Sequence, residues 1–396
     1  MSVFRFLFVS LVVSVTACST SDNSETPADL TKIENAESVK LLWSRDSGKG
    51  VVNKYVDMQP YINGNKIFTI DTLGVLSRMD AVTGETDWFF DSKLAAVTGL
   101  TGNGLSLVAS SRNGEVALFD YDDKSVTLRW MHQLKSEIRT KAVLDKQQVL
   151  VRSVDGKLTA LDATSGDLLW TVSRRVPALS LTGSSHPLVT DELVISGFDN
   201  GKLVAFDRKN GSTVWEHTLS APKGRTEIER LVDLDGQFIL RDNIIYISSF
   251  HGDLAAITLD SGQVLWSRKF SSFKAMDADQ EALYLTDDKS HIWSIDRRTG
   301  SSFWKQDVFN ARKLTAPRVL GDKIIVADLE GYVHLLDKKD GSLLARIQPS
   351  DVRYIAQPDV IDSKIVVLDI SGQVTVLTQD ETLPAPVYSN FRFRYQ

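Results

Sequence analysis

The feature that most constrains this chain is a phrase it repeats. RMDAVTGETDW (78–88), ALDATSGDLLW (160–170), AFDRKNGSTVW (205–215) and SIDRRTGSSFW (294–304) each pass from a strand-like run through an aspartate and a glycine to a tryptophan. Aligned on the glycine just upstream, the copies are marked by Gly74, Gly114, Gly156, Gly201, Gly252, Ser290, Gly331 and Gly372, at intervals of 38 to 51 residues. A period of roughly 40 to 50 residues means stacked repeat units, each too small to bury its own apolar faces.

The unit can be read from its punctuation. Ten residues past the marker stands Gly84, Gly166, Gly211, Gly262, Gly300 or Gly341, and fourteen past it Trp88, Trp170, Trp215, Trp266 or Trp304. Copy two is two residues longer and reaches Trp130; copy seven has Ala345 in the aromatic's place. Upstream halves such as PYINGNKIFTIDTLG and PDVIDSKIVVLDISG combine a short apolar segment, a polar turn, a β-branched run and a second turn, which is a hairpin feeding a third strand. In the D-x-x-[TSN]-G turn, Asp80, Asp162, Asp207, Asp296 or Asp337 can accept from amides two or three residues on, and the glycine takes the left-handed position. Each copy therefore makes four short antiparallel strands. Eight such sheets cover one another when packed radially, which predicts an all-β, eight-bladed β-propeller with the tryptophans as plates between blades. The eighth copy stops at GQVTVLT without a last strand, while VKLLWSRDSG near the start has the aromatic strand with no hairpin before it. The N-terminal strand is expected to complete the last blade and close the ring.

Outside the repeats, the first residues carry targeting information. In MSVFRFLFVSLVVSVTACST, Arg5 precedes an apolar run and then small residues, an export signal too short for a permanent span. Val15-Thr16-Ala17-Cys18 reads as a lipobox, and acylation accounts for a lone cysteine in an exported chain. Ser19, rather than aspartate, points to the outer membrane. The expected organisation is a signal peptide at 1–17, a lipidated flexible tether at 18–38, the propeller at 39–379 and a C-terminal tail at 380–396, where Phe391, Phe393 and Tyr395 alternate with Arg392 and Arg394. A formal net charge of -6 without a basic cluster argues against nucleic acid as a partner.

The A-x-D-x-x-T-G-x-x-x-W pattern resembles the PQQ-like repeat family over residues 39–378. Within it, the lipobox, the eight copies and the stretch GRTEIERLVDLDG (224–236) are similar to the BamB family of lipoproteins. The resemblance implies a non-catalytic periplasmic scaffold of the outer-membrane β-barrel assembly (BAM) complex. It would be lipid-anchored to the outer membrane, bind the POTRA domains of BamA and assist unfolded barrel proteins, without cofactor or metal. The two longest intervals contain SRRVPALSLTGSSH and SAPKGRTEIERLVDLDG, both after a tryptophan strand and before the next hairpin, so both emerge on one face. In BamB proteins the matching leucine and aspartate pairs contact BamA, which carries over to Leu179 and Leu181 and to Asp233 and Asp235. The basic residue that follows the second leucine there is Thr182 here; Arg225 and Arg230 are nearby candidates to replace it. The rims of the blades also offer strand edges to an extended client.

Two other classes stay open. The same repeat builds quinoprotein dehydrogenases that hold pyrroloquinoline quinone and calcium on the axis, but their adjacent-cysteine disulfide cannot form with Cys18 alone. His132, His186, His217, His251, His291 and His334 show no metal-ligand spacing, and Asp233 and Asp235 alone fall short of the 6 to 8 oxygens calcium usually takes. A glycan-binding envelope propeller is the other alternative, for which Trp293, off the repeat position, is the candidate aromatic.

Overall fold

Strand alternation and turn chemistry recur eight times, and the chain folds accordingly. In the structure, a computed structural model, residues 25–34, 36–50, 58–176, 185–219, 237–249, 252–272 and 274–379 are described. They form eight four-stranded antiparallel sheets and contain no helix. Seven blades are contiguous, at 61–91, 101–133, 143–173, 188–218, 239–270, 277–306 and 318–347; the eighth joins 359–378 to Lys40–Asp46. The expected propeller, including its closure by the first strand, is what the chain adopts.

Each blade runs outward from the axis. First strands of neighbouring blades touch, as Thr101–Gly102 does Val143–Leu144 and Arg318–Leu320 does Asp359–Ile361, so they line the centre. The second and third strands are buried on both sides; all five residues of Gln148–Arg152 are buried between neighbouring sheets. Fourth strands form the rim and expose Phe89, Leu168, Val214, Leu265 and Phe303. Antiparallel order places the turns after the first and third strands on one face, called the upper face here. The marker-glycine turns and the links between blades share the lower face.

The two glycines of the repeat do different work. Gly74 has φ +88°, and a Cβ on it would lie 2.4 Å from the Leu94 carbonyl oxygen, so conformation and space both demand glycine. In the upper turn, the Asp162 carboxylate accepts from the amides of Thr164 and Ser165 at 2.8 and 2.9 Å, and these bonds hold its pKa below the usual carboxylate range. The glycine of that turn receives the previous blade's tryptophan. A Cβ on Gly84, Gly166, Gly211, Gly262, Gly300 or Gly341 would sit 2.5–2.7 Å from the ring of Trp43, Trp130, Trp170, Trp215, Trp266 or Trp304 respectively. In the same docks the indole Nε1 donates to the backbone carbonyl of the residue after the turn aspartate or its counterpart, and in the longer turn of blade 2 Trp88 donates to the carbonyl of the turn aspartate Asp122 itself, at 2.8–3.3 Å. One bond thus satisfies the polar atom of a plate that otherwise buries apolar surface.

Every blade also carries one bulge at the same place. The register between third and fourth strands skips the residue just before the aromatic position, Leu169 before Trp170 and Leu42 before Trp43 among them. A bulge re-aims the side chain that follows it, here toward the next blade. Ala345 in blade 7 keeps the bulge and lacks the ring, for a reason visible in the topology. The turn that should receive it, between third and fourth strands of blade 8, does not exist, because that fourth strand comes from the other end of the chain. Val39 and Leu41, entering the closing strand, pack into this seam with Ala345, Leu335 and Leu377. Closure itself pairs Lys40 with Thr378 through Asp46 with Gln373, buries Trp43 to 3% exposure and bonds Ser44 Oγ to Thr375 Oγ1 at 2.8 Å.

Candidate functional site

The lower face is where this propeller departs from its own repeat. Most links between blades are short, but three are longer: the link at 47–60 that follows the closing strand, and, from adjacent blades, those joining blades 3 to 4 and 4 to 5 over 174–187 and 219–238. The latter two leave from equivalent points: Arg174 N donates to Gly156 O and Leu219 N to Gly201 O, each at 2.9 Å, the bond that Ser92 makes to Gly74 and Leu134 to Gly114. The marker glycine carbonyl therefore fixes where each link begins. Arg174 is fastened further, donating Nη2 to Thr213 Oγ1 at 2.7 Å and lying 5.2 Å from the centre of the Phe206 ring. Arg152 and Asp199 form a buried ion pair between blades 3 and 4, with the guanidinium 5.1 Å over Phe198. On their return the links bury Ser185 and Phe238. The topology thus sets two long connections side by side on one face. Leu179, Leu181, Thr182, Asp233 and Asp235 fall within these connections but outside the described residues, as does Cys18.

Between the first strands of blades 3 and 4 lies a cavity of about 300 Å³, lined by apolar Val143, Leu144, Leu188, Val189 and Phe238 together with Asp145 and His186. The rest of the lower mouth is filled by polar side chains of the chain itself. Lys141 Nζ donates to Gln59 Oε1 at 2.7 Å, Gln59 Nε2 to Asp359 Oδ2 at 3.3 Å, and Arg318 pairs with Asp359 and, at 3.7 Å, with Asp277. Burial pushes the Asp359 carboxyl up, against the pull of Arg318 and Lys141. Blades 6, 7 and 8 and the links entering blades 1 and 3 contribute to this network. Sequence reasoning missed these residues. Their signal is positional: Gln59, Arg318 and Asp359 each flank the proline that opens a first strand, Pro60, Pro317 or Pro358.

Of the side chains considered for other chemistry, Trp293, His291 and His334 have structural partners. Trp293 is half-buried between blades 5 and 6, edge-on to Phe270 at 5.9 Å, flanked by Arg268 and Lys305, and donates Nε1 to Asp287 Oδ2 at 2.9 Å. The same carboxylate bonds His291 Nδ1 at 2.9 Å. His334 is fully buried, with Nε2 3.0 Å from Asp328 Oδ2 and Nδ1 accepting from Arg346 Nε at 3.3 Å. Burial pushes its pKa below the ordinary histidine range. No group of three or more potential metal ligands occurs among the described residues.

Comparison with known proteins decides the family. Residues 91–306 match the family model described as outer membrane protein assembly factor BamB. The outer membrane protein assembly factor BamB of Yersinia pestis is 32% identical over 348 residues, covering 84% of this chain and 88% of its own length. The chain belongs to the BamB family. BamB of Moraxella catarrhalis, a crystal structure 24% identical, superposes with a TM-score of 0.77 over 86% of this chain and all of its own. A quinohemoprotein alcohol dehydrogenase from Comamonas testosteroni gives a TM-score of 0.70 at 11% identity over 91% of this chain and 79% of its own, a likeness of fold alone.

Proposed function

We propose that this chain is a non-catalytic scaffold of the outer-membrane β-barrel assembly machinery, exported through residues 1–17, anchored by lipid on Cys18 and working on the periplasmic side. Its lower face, at the links between blades 3, 4 and 5, binds a POTRA domain of BamA. Leu179 and Leu181 enter an apolar groove of the partner, and Asp233 and Asp235 meet its basic residues. Thr182 makes this contact less charged than in relatives with a basic residue there, and Arg225 or Arg230 supplies the missing cation. Membership of the BamB family supports the reading. The observation that carries it is that two adjacent blades, 3 and 4, each send out a long link from equivalent points on one face. A rigid ring displaying paired loops is suited to binding, since scaffold rigidity lowers the cost of ordering a contact surface.

The test is charge reversal. Asp233→Lys with Asp235→Lys is expected to abolish co-purification with BamA from detergent-solubilised envelopes while the circular dichroism spectrum and melting temperature stay those of the parent. Undiminished co-purification moves the contact away from the second link.

A further inference from the structure

Among the described residues, the fourth strand of blade 7 is the one rim strand with another segment of the chain laid across it. At the upper end, Glu37 N donates to the carbonyl of the bulged Leu344 at 2.8 Å, and the Glu37 carboxylate takes Gln379 Nε2 at 2.9 Å and faces Lys323 at 3.5 Å. Read back toward the amino end, Arg346 Nη2 donates to Thr31 O at 3.1 Å and Arg312 Nη1 to Ala28 O at 3.0 Å. Ala28 N then donates to Asn310 O at 3.0 Å, and Asn310 Nδ2 to Glu25 Oε1 at 2.8 Å. Lys323 and Gln379 stand at the upper face, whereas Asn310 and Arg312 belong to the lower-face link between blades 6 and 7. The segment therefore crosses the rim from one face to the other.

Its fastenings are built in. The bulge at Leu344 takes its carbonyl out of the regular ladder. Arg312 is also bonded through Nε to Asp328 Oδ2 at 2.8 Å, so the guanidinium facing Ala28 is held by a partner in blade 7 that is independent of the segment.

We infer that residues 25–34 and 36–37 are a strap that delivers the amino end to the lower face beside blades 6 and 7, so that the lower face is the one held toward the lipid surface. This rests on the reading of Cys18 as the anchor. Only seven peptide steps separate Cys18 from Glu25, a taut reach of about 25 Å, against roughly 70 Å for a tether free to residue 38. The links at 174–187 and 219–238 share that face. A partner bound there sits in the narrow space between propeller and membrane.

The chain from Cys18 onward can be coupled through its single cysteine to vesicles of phosphatidylcholine containing a maleimide-headgroup lipid, with a fluorophore on a non-natural residue at Asp288 (lower face) or Lys339 (upper face) and rhodamine-headgroup lipid as acceptor. Energy transfer is expected to be several-fold stronger from 288 than from 339. Equal or reversed transfer overturns the strap. The amides of Ala28 and Glu37 are expected to exchange about 100-fold more slowly than in an unstructured peptide, and free exchange there overturns it equally. Ala28→Pro with Glu37→Pro removes both amide donors without touching blade 7, and is expected to erase the difference between the two positions while the blades melt as before; a preserved difference means that something else orients the ring. The anchor is judged separately, by the mass of the protein extracted from envelopes: an unacylated Cys18 refutes the lipoprotein reading and leaves the vesicle result standing.

Discussion

Gly166 shows how much one atom can carry. Its φ of +78° disfavours any side chain, and a Cβ would reach within 2.7 Å of the Trp130 ring. Gly64 has φ +55° with nothing within 4 Å of such a Cβ, so it isolates the backbone part of the cost. Gly64→Ala is expected to lose about 1 kcal/mol of stability in urea unfolding, and Gly166→Ala roughly 2 to 4 kcal/mol once ring displacement is added. Equal losses would mean that the glycine–tryptophan dock contributes nothing. His334 carries a pH dependence of definite sign. Its Nε2–H donates to Asp328, its Nδ1 accepts from Arg346, and burial holds its pKa below the unfolded reference near 6.5. The unfolded chain thus takes up a proton before the native one does, and stability falls as pH drops below about 6.5. The carboxylates with lowered pKa, Asp80, Asp120 and Asp162 among them, lose their contributions lower down, as pH passes through the unfolded value near 3.9 and beyond. Between pH 6.5 and 5, His334→Gln is expected to flatten the fall by up to about 1.4 kcal/mol per pH unit. Superimposable slopes for parent and variant would assign the dependence to other groups.

At the scale of the element, a blade is a sheet that cannot stand alone, and what joins it to the next is a ring set on a glycine. The closing strand matters more than its seven residues suggest, because Lys40–Asp46 both completes blade 8 and carries Trp43, the plate that docks on Gly84 of blade 1. Deleting residues 39–46 removes that plate, bares the outer edge of Gln373–Thr378 and takes Val39 and Leu41 from the seam beside Ala345. Loss of a buried tryptophan alone costs about 3 to 5 kcal/mol, so thermal unfolding monitored by circular dichroism is expected at least about 4 °C lower. A deletion that melts with the parent would show the ring to be held without its first strand. The sequence made these joints legible because they rest on residue types that admit few substitutes. Glycines at positive φ, turn aspartates and evenly spaced tryptophans locate eight blades, and the missing hairpin before Trp43 locates the closure. The bulge was invisible, since the skipped residue is Leu42, Asp87, Arg129 or Phe303 according to the blade and has no shared chemistry.

At the scale of the whole molecule, legibility fails wherever contacts join distant stretches through backbone atoms or unique side chains. Lys141 meets Gln59 across 82 residues and Arg312 meets Ala28 across 284, and neither pairing has a periodic trace. Glu25, Ala28 and Glu37, polar or small and without alternation, read as tether because the carbonyls and amides that fasten them are common to every residue. The candidate contact surface was legible as two overlong intervals, and the face they share followed from strand count alone. Its chemistry at Leu179, Leu181, Asp233 and Asp235 came from family resemblance, not from spacing. The join between Ser44 and Thr375, 331 residues apart, has one more consequence. A polypeptide is made from its amino end, so the strand that finishes the molecule is among the first synthesised and waits for a mate among the last. Until that mate arrives the nascent chain is an open arc with two raw ends, a shape prone to pairing with strangers. Ring completion is thus a checkpoint on having the entire length: a chain cut short anywhere before Gln373 can build blades but can never lose its ends.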